Sequence, residues 1–166
     1  PFLAALGMRD ESRVGQPDYV DPVRNSLFID IGAGTTDLCL VQGCYPSQDD
    51  QVSLRFGGDQ VDDLLGESIR RVYPECDLST VMVRELKERV AFVGEPDGEV
   101  ETKVIIGGKT RTLALTDQVR VVCEKLLDRI FDAVQRLIAR APADSVGELL
   151  QNIVLTGGGS RIRNLA

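Results

Sequence analysis

Apolar residues set two rhythms along this chain. Val119, Val122, Cys123, Leu126, Ile130, Phe131, Val134, Leu137 and Ile138 recur at helical spacing, so the sequence predicts one long helix starting from a capping Thr116 and closed by Pro142. A second helical pattern, Val61, Leu64, Leu65 and Ile69, runs from a capping Asp59 to Pro74, and a third, Val83, Leu86 and Val90, follows a capping Ser79. Shorter extended stretches lie at Ser26 to Asp30, Asp37 to Val41, Val52 to Phe56 and Asn152 to Thr156, and Glu99 to Leu115 alternates as a hairpin around Gly107-Gly108. Pro1 to Leu6 reads as the end of a helix, Met8 to Asn25 as an irregular polar connection, and Asp144 to Leu150 as a short helix. Gly157-Gly158-Gly159 should lead into a final helix near Ala166. Strands and helices mixed in this way predict an α/β fold.

Composition narrows the picture. The 166 residues suffice for one compact domain or two small ones. No apolar run is long enough to insert in a membrane, and no segment resembles a signal peptide. A formal net charge of −7 disfavours nucleic acid as the main partner, because phosphate neutralisation needs clustered Lys and Arg. A small nucleotide stays open, since backbone N–H groups can hold its phosphates. Cys39, Cys44, Cys76 and Cys123 form no C-x-x-C pair, and the chain has no histidine, so a zinc site is not expected. Reduced, mostly buried thiols of a cytosolic protein are the expectation.

Two glycine turns carry the candidate chemistry. In Phe28-Ile29-Asp30-Ile31-Gly32-Ala33-Gly34-Thr35-Thr36-Asp37 a buried strand ends in a carboxylate, turns through small residues and leaves as a second strand. Such a turn presents successive N–H groups as an anion nest, Thr35 and Thr36 add hydroxyl donors, and Asp30 is placed to orient a hydrated Mg²⁺. The same residues also fit an ordinary hairpin with a glycine-rich turn. The second turn, Leu155-Thr156-Gly157-Gly158-Gly159-Ser160, joins a strand to a helix and offers a side-chain-free surface for an adenine or ribose. Each turn is weak evidence alone; in this order and roughly 120 positions apart they suit one bridging ligand. Gly32-x-Gly34 is no dinucleotide fingerprint, because Asp37 replaces the third glycine and a strand follows. Gly108-Lys109-Thr110 is no P-loop, because Lys103 stands where its first glycine belongs.

At these residues the sequence resembles the actin superfamily. Asp30 to Asp37 is similar to that family's second phosphate loop, Leu155 to Leu165 to its adenosine loop, Gly57-Gly58-Asp59 to the start of the upper part of its second domain, and Val83 to Glu88 to its nucleoside-contacting helix. Tyr45-Pro46, Asp50-Gln51, Met82 to Glu85, Lys87-Glu88, Phe92 and Gly94-Glu95 resemble the magnetosome-aligning bacterial actins more than the rod-shape actin relatives. The implied fold is the second domain of an actin-like, ribonuclease H-like ATPase: a mixed sheet flanked by helices, with residues 1–58 and 116–166 as nucleotide-binding core and 59–115 as an inserted smaller α+β subdomain.

The resemblance implies ATP or ADP with Mg²⁺ as cofactors. Asp30 would associate with the metal, and Asp30 and Thr35 are the expected catalytic residues. Gly32, Ala33, Gly34, Thr35 and Thr36 would hold the β- and γ-phosphates, Lys87 and Glu88 would flank ribose or base, and Gly157, Gly158, Gly159 and Ser160 would carry the adenosine. For Lys87 and Glu88 the residues alone favour a solvated helix face. The implied activity is ATP hydrolysis coupled to self-association into cytoplasmic, cytoskeletal filaments that position magnetosomes with adaptor proteins. A cell-shape filament and an actin-fold small-molecule kinase are the alternatives. The family also needs a first phosphate loop and a water-positioning residue, expected before Pro1-Phe2. The chain is therefore read as a C-terminal half, inactive as a hydrolase by itself.

Overall fold

The computed structural model describes residues 2–165; Pro1 and Ala166, the outermost positions of the two expected terminal helices, lie outside the described residues. The elements are α1 (Phe2–Met8), β1 (Ser26–Ile31), β2 (Thr36–Val41), β3 (Gln51–Leu54), α2 (Gly58–Val72), α3 (Thr80–Val90), β4 (Glu101–Ile106), β5 (Lys109–Ala114), α4 (Thr116–Ile138), α5 (Val146–Gln151) and β6 (Ile153–Thr156). The main sheet runs β3-β2-β1-β6. β1 pairs antiparallel with β2, from Ser26 opposite Val41 to Ile31 opposite Thr36, and parallel with β6, from Leu27 beside Ile153 to Asp30 beside Thr156. The ends of β1 and β6, and so the two glycine turns, therefore come out at the same edge of one sheet.

Side-chain alternation explains why β1 is central. Leu27, Ile29 and Ile31 join Leu38 and Leu40 in a cluster with the buried stripe of α4, while Phe28 packs the other face with Cys39, Val41 and Ala5 of α1. The α4 stripe is buried as its periodicity predicts, from Val119 to Leu137. Phe131 departs from it and is 56% exposed, because it sits a 100° step round the helix from buried Ile130. The same apolar cluster continues into Val61, Leu65 and Ile69 of α2, Val83 and Leu86 of α3, and Val104 and Leu113 of the β4–β5 hairpin. That hairpin turns at Gly107 and Gly108, both at positive φ.

Several local expectations change. Ser79 does cap α3, accepting from the Met82 N–H at 3.3 Å. Asp59 does not cap α2: the helix starts at Gly58, and the Gln60 side chain accepts from the Gly57 N–H at 2.7 Å. Thr116 is the first residue of α4 rather than its cap, and its Oγ1 accepts from the Val100 N–H at 2.8 Å, tying the helix to the approach to β4. β3 stops at Leu54 because the chain tucks Phe56 into the core and turns into Gly57. The expected last helix is only a 3-10 turn, Gly158–Arg161. Beyond it Arg163 pairs with Phe92 in a parallel bridge, with the Val93 N–H donating to Arg163 O at 3.0 Å, and this holds the chain extended. Burial pushes the Cys39 and Cys123 thiols up to about 11, so both stay protonated at neutral pH.

Candidate functional site

The first turn is braced from behind. The Gly32 N–H donates to Thr35 O at 2.8 Å, closing the turn, while Gly32 O and Ala33 O accept from the Gly58 and Asp59 N–H groups at 3.0 and 2.8 Å. Gly57 is forced to be glycine by that contact: a Cβ there would lie 2.6 Å from Ala33 O and 2.7 Å from Gly32 O. The first N–H groups of α2 thus serve the turn and are not free for a ligand. Among the described residues, the N–H groups of Ala33, Gly34 and Thr35 have no protein acceptor. Those three, exposed at the tip, are the turn's open donors.

The hydroxyls behave differently from the sequence expectation. Thr36 is fully buried and its Oγ1 donates to Phe56 O at 2.7 Å, so it is not available to a phosphate. Its side chain points into the sheet because Thr36 is already the first residue of β2. The Thr35 hydroxyl donates to Asp37 Oδ2 at 2.9 Å. Asp37 stands directly across the hairpin from Asp30, and neither carboxylate has a cationic side-chain partner among the described residues.

The second turn crowds the first. Gly157 has φ +79°, and a Cβ there would meet Ile31 O and lie 2.5 Å from Asp30 Oδ1. A Cβ on Gly159 would collide with the Ile31 side chain. Asp30 therefore lies between the two turns, against Gly157. The Ser160 Oγ donates to Gly157 O at 2.8 Å, so it shapes its own turn.

Between the turns and α3 opens a cleft of ≈ 780 Å³, within the size range of nucleotide and cofactor pockets. Gly32, Ala33, Lys87, Glu88, Gly158 and Gly159 all wall it. Asp30, Gly34, Thr35, Thr36, Gly157 and Ser160 do not. Sequence reasoning missed Arg84, Asp59 and Arg161, which also line the cleft. It missed Asp62 too, which stands behind the wall, accepts from Arg84 Nε at 3.1 Å and forms an ion pair with Lys87 Nζ at 2.8 Å. The available signal was an acid at the position three before Leu65 and seven before Ile69, on the buried face of α2. The hydrogen bond to Asp62, then the charge of Asp59, raise the Arg84 pKa above its ordinary value. Lys87 is no solvated cation: its Nζ also donates to Gly58 O at 2.9 Å.

Among the described residues no three His, Cys, Asp or Glu cluster to enclose a metal by themselves. Asp30 with Asp37, a cation-free carboxylate pair beside N–H donors, suits Mg²⁺, which takes one or two carboxylates and fills its shell with water and phosphate oxygen.

The model of the MreB/Mbl protein family matches residues 10–166. The chain is 36% identical over 166 residues to the actin-like protein MamK of Paramagnetospirillum magneticum, covering all of this chain and 44% of that protein. Two solved structures superpose with a TM-score of 0.84 at 36% identity, covering 88% of this chain and 45% of theirs: a non-polymerising mutant of MamK bound to AMPPNP, and the MamK double helical filament. The chain thus spans less than half the length of the relatives it matches.

Proposed function

The chain belongs to the MreB/Mbl protein family and has an actin-like fold, and from that premise we propose that the whole protein is a Mg-ATP-dependent, filament-forming ATPase in which these residues build one wall of the nucleotide site. The observation that carries the reading is the convergence of two glycine turns, on neighbouring strands β1 and β6, upon a single cleft faced by α3. In this reading residues 1–58 and 116–166 are the nucleotide-binding core and 59–115 the smaller inserted subdomain.

The proposed roles follow the geometry. The N–H groups of Ala33, Gly34 and Thr35 donate to the terminal phosphates, with Gly32 supplying the closed turn beneath them. Asp30 and Asp37 would hold a hydrated Mg²⁺, and Thr35 fixes Asp37 through its hydroxyl. Bound Mg²⁺ would neutralise charge developing on the transferred phosphoryl group. Gly158 and Gly159 give the adenosine a flat backbone surface, while Lys87 and Glu88 on α3 face it across the cleft. Thr36 takes no part, since its hydroxyl is buried on Phe56 O.

Self-association into cytoplasmic filaments that align magnetosomes, with adaptor proteins as partners, is the biological role we propose, supported by the MamK relatives at about a third identity. The MreB/Mbl family match, together with 27% identity to the cell shape-determining protein MreB of Escherichia coli, supports a cell-shape filament as the second reading. Sedimentation of the whole protein with ATP, with ADP and without nucleotide is the test. ATP should drive the protein into the pellet; pelleting that ignores nucleotide, with no Mg-ATP binding by calorimetry, would overturn the proposal. Asp30→Ala in the whole protein should abolish phosphate release and leave the melting midpoint in place, and an unchanged release rate would remove Asp30 from the mechanism.

A further inference from the structure

Asp62 is a buried carboxylate that belongs to neither glycine turn. Its side chain is 1% exposed, and its two oxygens serve two different cations of α3: Oδ1 meets Lys87 Nζ at 2.8 Å and Oδ2 meets Arg84 Nε at 3.1 Å. Arg84 reaches further to Asp59 Oδ1 at 2.9 Å. From Lys87 the contacts continue to the turn: Nζ donates to Gly58 O at 2.9 Å, and the Gly58 N–H donates to Gly32 O at 3.0 Å. A would-be Cβ of Gly58 lies 3.2 Å from Lys87 Nζ and 3.7 Å from the Ala33 Cα, so the lysine head and the turn are close-packed around one glycine.

An unpaired carboxylate at this depth would be strongly unfavourable, so Asp62 stays where both cations can reach it, and they in turn are held. Asparagine cannot replace it. Its amide has one acceptor oxygen and one NH₂ donor, and the NH₂ would face either the Lys87 ammonium or the Arg84 N–H.

We infer that Asp62 is a positioning residue of the nucleotide site, acting through Lys87: it clamps the lysine on Gly58 and so fixes the phosphate turn relative to the α3 wall. The inference rests on the nucleotide reading of the cleft. It has a specific consequence. Asp62 does not line the cleft, so it acts on binding through the two cations it holds, and removing Lys87 removes the Lys87 share of that influence.

The test is calorimetric titration of AMP-PNP into the whole protein as wild type, Asp62→Asn, Lys87→Met and the double variant, each checked for folding by its melting curve. Each single change should weaken binding by about 10- to 100-fold, the range of one charge-assisted hydrogen bond. The double variant should bind less weakly than the product of the two single effects, because part of the Asp62 effect runs through Lys87. Asp62→Glu keeps the charge, and hence the paired cations, while moving the carboxylate by one methylene; it should restore part of the affinity and carries the test if Asp62→Asn does not fold. Wild-type affinity in Asp62→Asn or in Asp62→Glu, or a double variant weakened by the product of the two singles, would overturn the inference while leaving the nucleotide reading intact. A wild-type protein that does not bind AMP-PNP would overturn the nucleotide reading itself, and the inference with it.

Discussion

The two glycine turns look alike in sequence, yet their glycines answer to different causes. Gly157 and Gly159 are dictated by the protein: Gly157 sits at φ +79° against Ile31 O and the Asp30 carboxylate, and Gly159 has the Ile31 side chain where its Cβ would be. In the first turn Gly34 has ordinary backbone geometry and open space around its missing Cβ, and Gly158 in the second turn is equally open. Gly32 is intermediate, with Thr35 O 3.2 Å from a would-be Cβ. Crowding thus accounts for the glycines that press the two strands' ends together, and nothing among the described residues accounts for Gly34 and Gly158. The positions where glycine is not needed by the protein are the ones where bare backbone is useful to a ligand that must come close.

The comparison breaks first at Gly157. Alanine there must take a backbone conformation that is essentially reserved for glycine and must also push aside the main chain of Ile31. Gly157→Ala should destabilise the protein by about 3–5 kcal/mol, summing the strain of that conformation and an overpacked contact. Urea unfolding of the variant beside wild type measures it. A loss under ~1 kcal/mol would mean that the second turn yields easily and that its glycine is no more constrained than Gly34.

Thr36 gives the next step down. Valine removes the hydroxyl and leaves Phe56 O without its buried partner. Thr36→Val should therefore lower stability by about 1–2 kcal/mol and leave nucleotide affinity unchanged. The opposite result, unchanged stability with weakened AMP-PNP binding, would restore the hydroxyl to the phosphate site and contradict the geometry described above.

The pattern of what could be read from the chain follows the range of the forces involved. Periodicity located the long helices and the β4–β5 hairpin, because burying one face is a local constraint: the α4 stripe and the β4–β5 alternation needed no partner to be recognised, whereas the last expected helix, which had no such pattern, is only a 3-10 turn. The Ser79 cap was legible for the same reason, as its bond closes within three residues. Asp59 and Thr116 were misplaced as caps because distant segments claim them. The Asp59 N–H goes to Ala33 O, and Thr116 Oγ1 goes to the Val100 N–H. Glycine richness marked both turns but did not separate the crowded glycines from the open ones, since Ile31 meets Gly159 only when β1 and β6 pair. Asp62 was passed over because its partners lie 22 and 25 positions along the chain, on another helix whose charges look solvated in isolation.

The smallest expected change in stability is the sharpest test of the comparison. At Gly34 a methyl group meets nothing within 4 Å among the described residues, and the backbone is not in the left-handed region. Alanine there restricts the unfolded chain and strains nothing in the folded one, so Gly34→Ala should leave stability unchanged or raise it by up to about 1 kcal/mol. Binding should move the other way. The methyl group stands beside the free N–H groups of Ala33, Gly34 and Thr35, and a phosphate held by them needs the backbone uncovered. Loss or lengthening of even one such bond weakens binding by roughly tenfold or more. The two readouts together decide the matter: urea unfolding for the fold, AMP-PNP calorimetry on the whole protein for the site. Lower stability would show that Gly34, like Gly157, is held by packing. Unchanged affinity would show that the open turn faces solvent only, and the nucleotide reading would then have to stand on Gly158 and the α3 wall alone.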